Sequence, residues 1–147
     1  MRRIVILLIL QIIATGFCFG QLPHTFTQYT SEDGLSQNTI MSILQDDKGV
    51  MWFATWDGLY KFDGYTFNNY KAHPGDSIGL SNNRLDNIKE DRYGYIWVQS
   101  YNHQVYRFNP RLERFQAIPY DNYLSLDMYV LPCGDVWIIT VQNELIH

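Results

Sequence analysis

Cysteine is nearly missing from this chain of 147 residues: only Cys18 and Cys133 occur. Cys18 falls in an N-terminal leader, described below, so the mature chain keeps one thiol and no intrachain disulfide can form. The lone Cys133 is expected to be buried and inert, because it stands beside a turn leading into an apolar strand. No Cys/His cluster has zinc spacing, so no metal site is expected. Positive charge is also scarce. Eleven Lys and Arg stand against 15 Asp and Glu, for a net charge of −4, and the basic residues are scattered rather than aligned in a stripe. Nucleic acid is thereby excluded as a partner. Helical patterning is lacking past residue 20, since no stretch keeps a 3.6-residue apolar period for three turns and Gly and Pro interrupt often. The histidines, His24, His73, His103 and His147, share no spacing. No Ser-His-Asp or Cys-His arrangement is legible, so no residue is nominated as catalytic and no cofactor is expected.

What is present begins with a leader. Arg2-Arg3 are followed by an apolar run from Ile4 to Ile13, broken only by Gln11, and then by small or weakly polar residues to Gly20. This order of basic, apolar and small residues predicts a signal peptide over residues 1–20. The apolar run is shorter than the roughly 20 residues a membrane span requires, which favours cleavage over anchoring. Phe17 before Cys18 is too bulky for lipid attachment.

Residues 21–147 carry an internal repeat. Leu35-Ser36-Gln37-Asn38 recurs as Leu80-Ser81-Asn82-Asn83; Asp46, Gly49 and Trp52 recur as Asp91, Gly94 and Trp97; Tyr60-Lys61-Phe62-Asp63 recurs as Tyr106-Arg107-Phe108-Asn109. A shortened third copy runs from Leu124-Ser125 to Gly134-Asp135-Val136-Trp137. Within one copy, β-branched and apolar runs alternate with Asp-Gly turns, as at Asp57-Gly58 and Asp63-Gly64. Four strands joined by three tight turns make one propeller blade. The expected fold is all-β: an incomplete β-propeller with blade one over 35–70, blade two over 80–118 and a partial blade three over 124–147.

One further match lies at the front. Thr25-Phe26-Thr27-Gln28-Tyr29 resembles Thr66-Phe67-Asn68-Asn69-Tyr70, the expected fourth strand of blade one. Residues 24–30 are therefore expected to be an orphan outer strand that closes a blade lying elsewhere. Closure is useful because an open ring leaves unpaired edges, and a ring of about four or more blades is needed. These residues alone are expected not to close, and to be a fragment of a longer protein or to assemble from several copies.

The Leu-Ser-x-Asn opening, the Asp-x-x-Gly turn, the tryptophan and the Asp-Gly-Leu-Tyr-Lys-Phe-Asp run, spanning Leu35 to Phe62 and echoed over Leu80 to Asn109, resemble the two-component regulator propeller repeat. That resemblance implies the periplasmic sensor of a Bacteroidetes hybrid two-component system, followed in the full protein by an immunoglobulin-like domain, a membrane helix, a histidine kinase and a response regulator that together run a phosphorelay. It implies an oligosaccharide ligand, a receptor homodimer, and as partners the remaining blades and the kinase of the same receptor. Localisation would be on the periplasmic side of the inner membrane. No enzyme activity is expected in this chain. The alternatives are a secreted propeller scaffold and a propeller glycan lyase or hydrolase, which would need convergent carboxylates or a His/Tyr base. The chain departs from the repeat at Gln99 to His103 and at Gln142-Asn143, where the usual glycines are missing; those hairpins require a wider loop or an Asn at positive φ.

Trp52, Trp97 and Trp137 recur at one blade position and are expected to be structural core between blades. Asp46, Asp47, Asp91 and Asp135 fall in first hairpin turns and read as turn residues rather than a calcium site. The ligand face is expected where the loops between strands two and three meet the loops leading to the next blade. Trp56, Tyr101, Asn82, Asn83 and Arg84 are the candidates, because aromatic faces stack on a pyranose while amides meet its hydroxyls.

Overall fold

The computed structural model describes residues 25–35, 39–73, 75, 79–119 and 124–147. The expected signal peptide lies outside them. Three antiparallel sheets follow one another along the chain. The first holds β1 (Ile40–Gln45), β2 (Met51–Thr55), β3 (Gly58–Phe62) and β4 (Phe67–Tyr70), in that order. The second holds β5 (Leu85–Glu90), β6 (Ile96–Ser100), β7 (Val105–Asn109) and β8 (Arg114–Ala117). The third holds β9 (Ser125–Val130), β10 (Val136–Thr140) and β11 (Leu145–Ile146). This is the all-β, partial propeller read from the repeat. No helix among the described residues is long and apolar enough to cross a membrane.

The first strands of neighbouring sheets lie side by side: β1 packs on β5, and β5 on β9. A polar chain joins them. Ser42 Oγ donates to Asn87 Oδ1 at 3.5 Å, and Asn87 Nδ2 donates to Asp127 Oδ1 at 3.5 Å. Each inner strand also slips register by one residue, at Met41, Asp86 and Leu126. Such a bulge bends the strand and increases its twist.

Apolar burial lies between the sheets. Trp52 is 1 % exposed; its ring lies 5.6 Å from Phe108 of the second sheet and 6.2 Å from Tyr70 of its own. Trp97 holds the equivalent place one blade later, half-buried against Val105, Met128 and Ile138. Trp137 is also half-buried and stacks on His147 at 4.3 Å. Trp52 faces a four-stranded sheet and is the most deeply buried of the three; Trp97 faces a three-stranded sheet, and among the described residues no further sheet lies in front of Trp137.

The first hairpin turn of a blade also holds its tryptophan. Asp91 Oδ1 accepts from the Tyr93 and Tyr95 amides at 2.9 and 3.0 Å, and its Oδ2 accepts from Trp97 Nε1 at 2.8 Å. Asp46 does the same for Lys48, Val50 and Trp52, each at 2.9 Å. Leu131 fills this place in blade three, which lacks the link. Replacing Asp91, only 5 % exposed, with Ala should cost about 1.5–3 kcal/mol, because three donors lose a charged acceptor. Urea denaturation of the variant would measure this; a loss within error of zero would mean the turn holds without its carboxylate.

Three expectations are corrected or refined. Cys133 is exposed, its Sγ donating to Asp135 Oδ2 at 3.2 Å, because it sits in the turn itself rather than in β10. The hairpins without glycine use a three-residue loop and a residue at positive φ together. In blade three that residue is Asn143 (φ 61°), but in blade two it is His103 (φ 64°) rather than Asn102. His103 is held there by Ser125, whose amide donates to its carbonyl at 3.0 Å and whose carbonyl lies 2.8 Å from its Nδ1. Finally, Thr25–Thr30 belong to no strand among the described residues. Tyr29 nonetheless packs edge-on to Phe62 and Phe67, at 4.9 and 5.6 Å.

Candidate ligand-binding face

The β2–β3 loop of each blade meets the connection to the next blade at one end of the sheets. In blade one the loop is only Trp56-Asp57. The Asp57 amide donates to Thr55 Oγ1 at 2.9 Å, and that hydroxyl donates to the Gly58 carbonyl at 3.0 Å. A loop this tight leaves Trp56 projecting, with 39 % of its surface exposed. In blade two the longer loop presents Tyr101, 56 % exposed.

Arg84, immediately before β5, joins the two. Its amide donates to Asn82 Oδ1 at 2.9 Å, and its carbonyl accepts from the Tyr101 amide at 2.8 Å. Its guanidinium lies 5.1 Å from the Trp56 ring centre and 5.8 Å from that of Tyr101. Both distances are within the reach of cation–π attraction. An exposed cation thus sits between two exposed aromatic faces, one from each blade.

Asn82 and Asn83 fare differently. The Asn82 carbonyl oxygen is taken by the Arg84 amide. Asn83 Oδ1 accepts from the Ala72 amide at 2.7 Å, and its backbone carbonyl accepts from the Gly58 amide at 2.8 Å. Both are half-buried. Their side-chain oxygens hold the blade junction, so of the five candidates Trp56, Arg84 and Tyr101 form the presenting group.

Charge on this face is balanced locally. Lys71 Nζ lies 2.6 Å from Asp57 Oδ2, and this hydrogen bond holds the ammonium pKa above its ordinary value. Asp86, at the β5 bulge, is half-buried; desolvation raises its carboxyl pKa, and the nearby His103 pulls it back. Asp86 and His103 escape a reading by residue type, since 17 residues separate them in the chain and only the fold brings them together. The repeated aspartates do not converge as a catalytic pair, because Asp46 and Asp91 are occupied by turn amides and indoles. Among the described residues no three His, Cys, Asp or Glu side chains could hold a metal ion.

Hollows lie at other places on the sheets. One of about 440 Å³, lined by Asp47, Glu90, Arg92, Tyr95 and Arg111, sits at the opposite end of the sheets. Another of about 420 Å³, lined by Trp97, Ile118, Val136, Ile138 and Ile146, is the slot between blades two and three.

Residues 34–57 match the family described as two component regulator propeller. A histidine kinase of Formosa agariphila is 48 % identical over 56 residues, which are 38 % of this chain and 4 % of that protein. The extracellular domain of a hybrid two component system from B. thetaiotaomicron superposes with a TM-score of 0.69 at 23 % identity, over 85 % of this chain and 20 % of that one. A second extracellular domain from the same organism gives a TM-score of 0.58 at 24 % identity, over 83 % of this chain and 18 % of that one. The chain therefore spans a small part of each of these proteins. Its matched segment is similar to the two component regulator propeller, and its three sheets share the fold of these extracellular domains.

Proposed function

We propose that this chain is the N-terminal part of the extracytoplasmic sensor of a hybrid two-component histidine kinase, and that an oligosaccharide is taken by the Trp56–Arg84–Tyr101 face. The observation that carries the binding reading is the Arg84 guanidinium set between two exposed rings. Aromatic faces suit the apolar side of a pyranose, and a guanidinium supplies donors to hydroxyls or to an acidic substituent. The matched histidine kinase and the propeller match over residues 34–57 support the signalling half. Because the group draws on two blades, bound sugar would bias one arrangement of the receptor dimer over another, and membrane helices would carry that bias to the kinase.

The test is calorimetric titration of the complete extracellular domain with a panel of oligosaccharides. For any sugar that binds, Trp56→Ala and Tyr101→Ala should each weaken affinity roughly threefold to tenfold, the range expected for loss of one aromatic contact. Unchanged affinity in both variants would move the ligand site off this face.

A further inference from the structure

The face built from Trp56, Arg84 and Tyr101 has an uneven inventory of donors and acceptors. Among the described residues Arg84 makes no ion pair; the carboxylates in such pairs are Asp57, with Lys71, and Asp135, with His147. The Arg84 backbone is engaged, its amide with Asn82 and its carbonyl with Tyr101, but its guanidinium donates to no described residue. What the guanidinium meets are the rings of Trp56 and Tyr101. A guanidinium offers several N–H donors and no acceptor.

The acceptors that flank it are already engaged. Asn82 Oδ1 accepts from the Arg84 amide at 2.9 Å, and Asn83 Oδ1 from the Ala72 amide at 2.7 Å. Asn102 Oδ1, in the loop of Tyr101, accepts from Ser100 Oγ at 2.6 Å, and Asp57 Oδ2 accepts from Lys71 Nζ at 2.6 Å. Asp86 is half-buried, and His103 offsets its charge. Sugar hydroxyls both donate and accept, so a neutral sugar needs acceptors from the protein as well as donors. A carboxylate or a sulfate only accepts. Unpaired donors beside engaged acceptors fit the second kind of ligand group.

We propose that the oligosaccharide taken by this face is acidic, and that Arg84 holds its carboxylate or sulfate by two parallel N–H···O bonds while Trp56 and Tyr101 contact the sugar beside it. The inference rests on the ligand reading above and narrows it to one class. A planar guanidinium carries its donors in its own plane, clear of any ring that its face meets, so contact with the aromatics leaves the fork open. The rings also keep water from the guanidinium, and a charge-assisted bond made there is stronger than a neutral one.

Matched pairs of sugars, titrated calorimetrically into the complete extracellular domain, test this. One pair is a uronic-acid oligosaccharide and the same chain with its carboxyls reduced to alcohols; the other is a sulfated oligosaccharide and its desulfated form. In at least one pair the charged member should bind about tenfold or more tightly than its neutral partner, the effect of one charge-assisted pair. Which pair shows it tells carboxylate from sulfate. Arg84→Met keeps a stem against the rings without the charge and should erase the difference, leaving the neutral member's affinity unchanged. Arg84→Lys should keep part of it. If neutral members bind as tightly as charged ones and Trp56→Ala weakens both, the face stands and the acidic ligand is overturned. A charge preference that survives Arg84→Met, or no binding of either charged member, overturns it too. Binding of a charged sugar that ignores both Trp56→Ala and Tyr101→Ala moves the ligand off this face and overturns both readings.

Discussion

Truncating Trp52 to Ala should cost about 3–5 kcal/mol, the range for removing a large buried aromatic. The ring is 1 % exposed and touches both its own sheet and the next. Its indole N–H is held by Asp46, so the variant also takes one of three donors from that half-buried carboxylate. The informative result is the series. Trp97→Ala should cost less, because the sheet in front of it has three strands. Trp137→Ala should cost least, since among the described residues no sheet lies in front of that ring, which packs on His147. Urea denaturation of the three variants would give this order. Equal losses at all three sites would mean that burial between sheets is not what the tryptophans contribute.

The second large effect is expected at Gly58. A Cβ added there would lie 2.5 Å from the Tyr70 carbonyl and 2.7 Å from Asn69 Oδ1, at a φ of +110°. The backbone conformation alone costs a side chain about 1–3 kcal/mol, and the Tyr70 carbonyl, being backbone, cannot retreat cheaply. Tyr70 O belongs to the strand end beside the loop. The Gly58 amide is itself bonded to Asn83. Gly64 supplies the control: its φ is +99°, but nothing lies within 4 Å of the added Cβ. Gly58→Ala should therefore destabilise clearly more than Gly64→Ala in thermal unfolding, and it should also disturb the Trp56–Arg84 contact, which near-UV circular dichroism would report. Matching midpoints for the two variants would show that the close approach at Gly58 relaxes freely.

The order of the sheets is legible in the sequence because turns punctuate it at fixed offsets. Asp46 to Gly49 and Asp91 to Gly94 mark the same hairpin in two blades, and strand period two carries the chain between them. The Asp-to-Trp link is visible as well, as a spacing of six residues in both blades, although residue type alone presents those aspartates as turn formers only. The candidate site is less legible. Asn82 and Asn83 look like amides waiting for hydroxyls, but composition does not reveal which lone pairs are already engaged by backbone amides. Asp86 and His103 illustrate the converse: 17 residues separate them in the chain, only the fold brings them together, and nothing in their residue types announces it. Cys133 shows how fine the boundary is. Its neighbours in β10 turn inward, while the turn that holds it faces water.

Since the Trp52 indole is covered by Phe108 on the third strand of the sheet that follows, and Trp97 faces the third sheet in the same way, this architecture is completed in order along the chain. A polypeptide made from its N-terminus shields Trp52 only after the residues up to Phe108 have appeared, and then leaves Trp97 waiting in its turn. At every stage one wedge of greasy surface stands open at the growing end. Pauses in synthesis at blade boundaries would therefore be the moments when such a chain is most prone to stick to its neighbours.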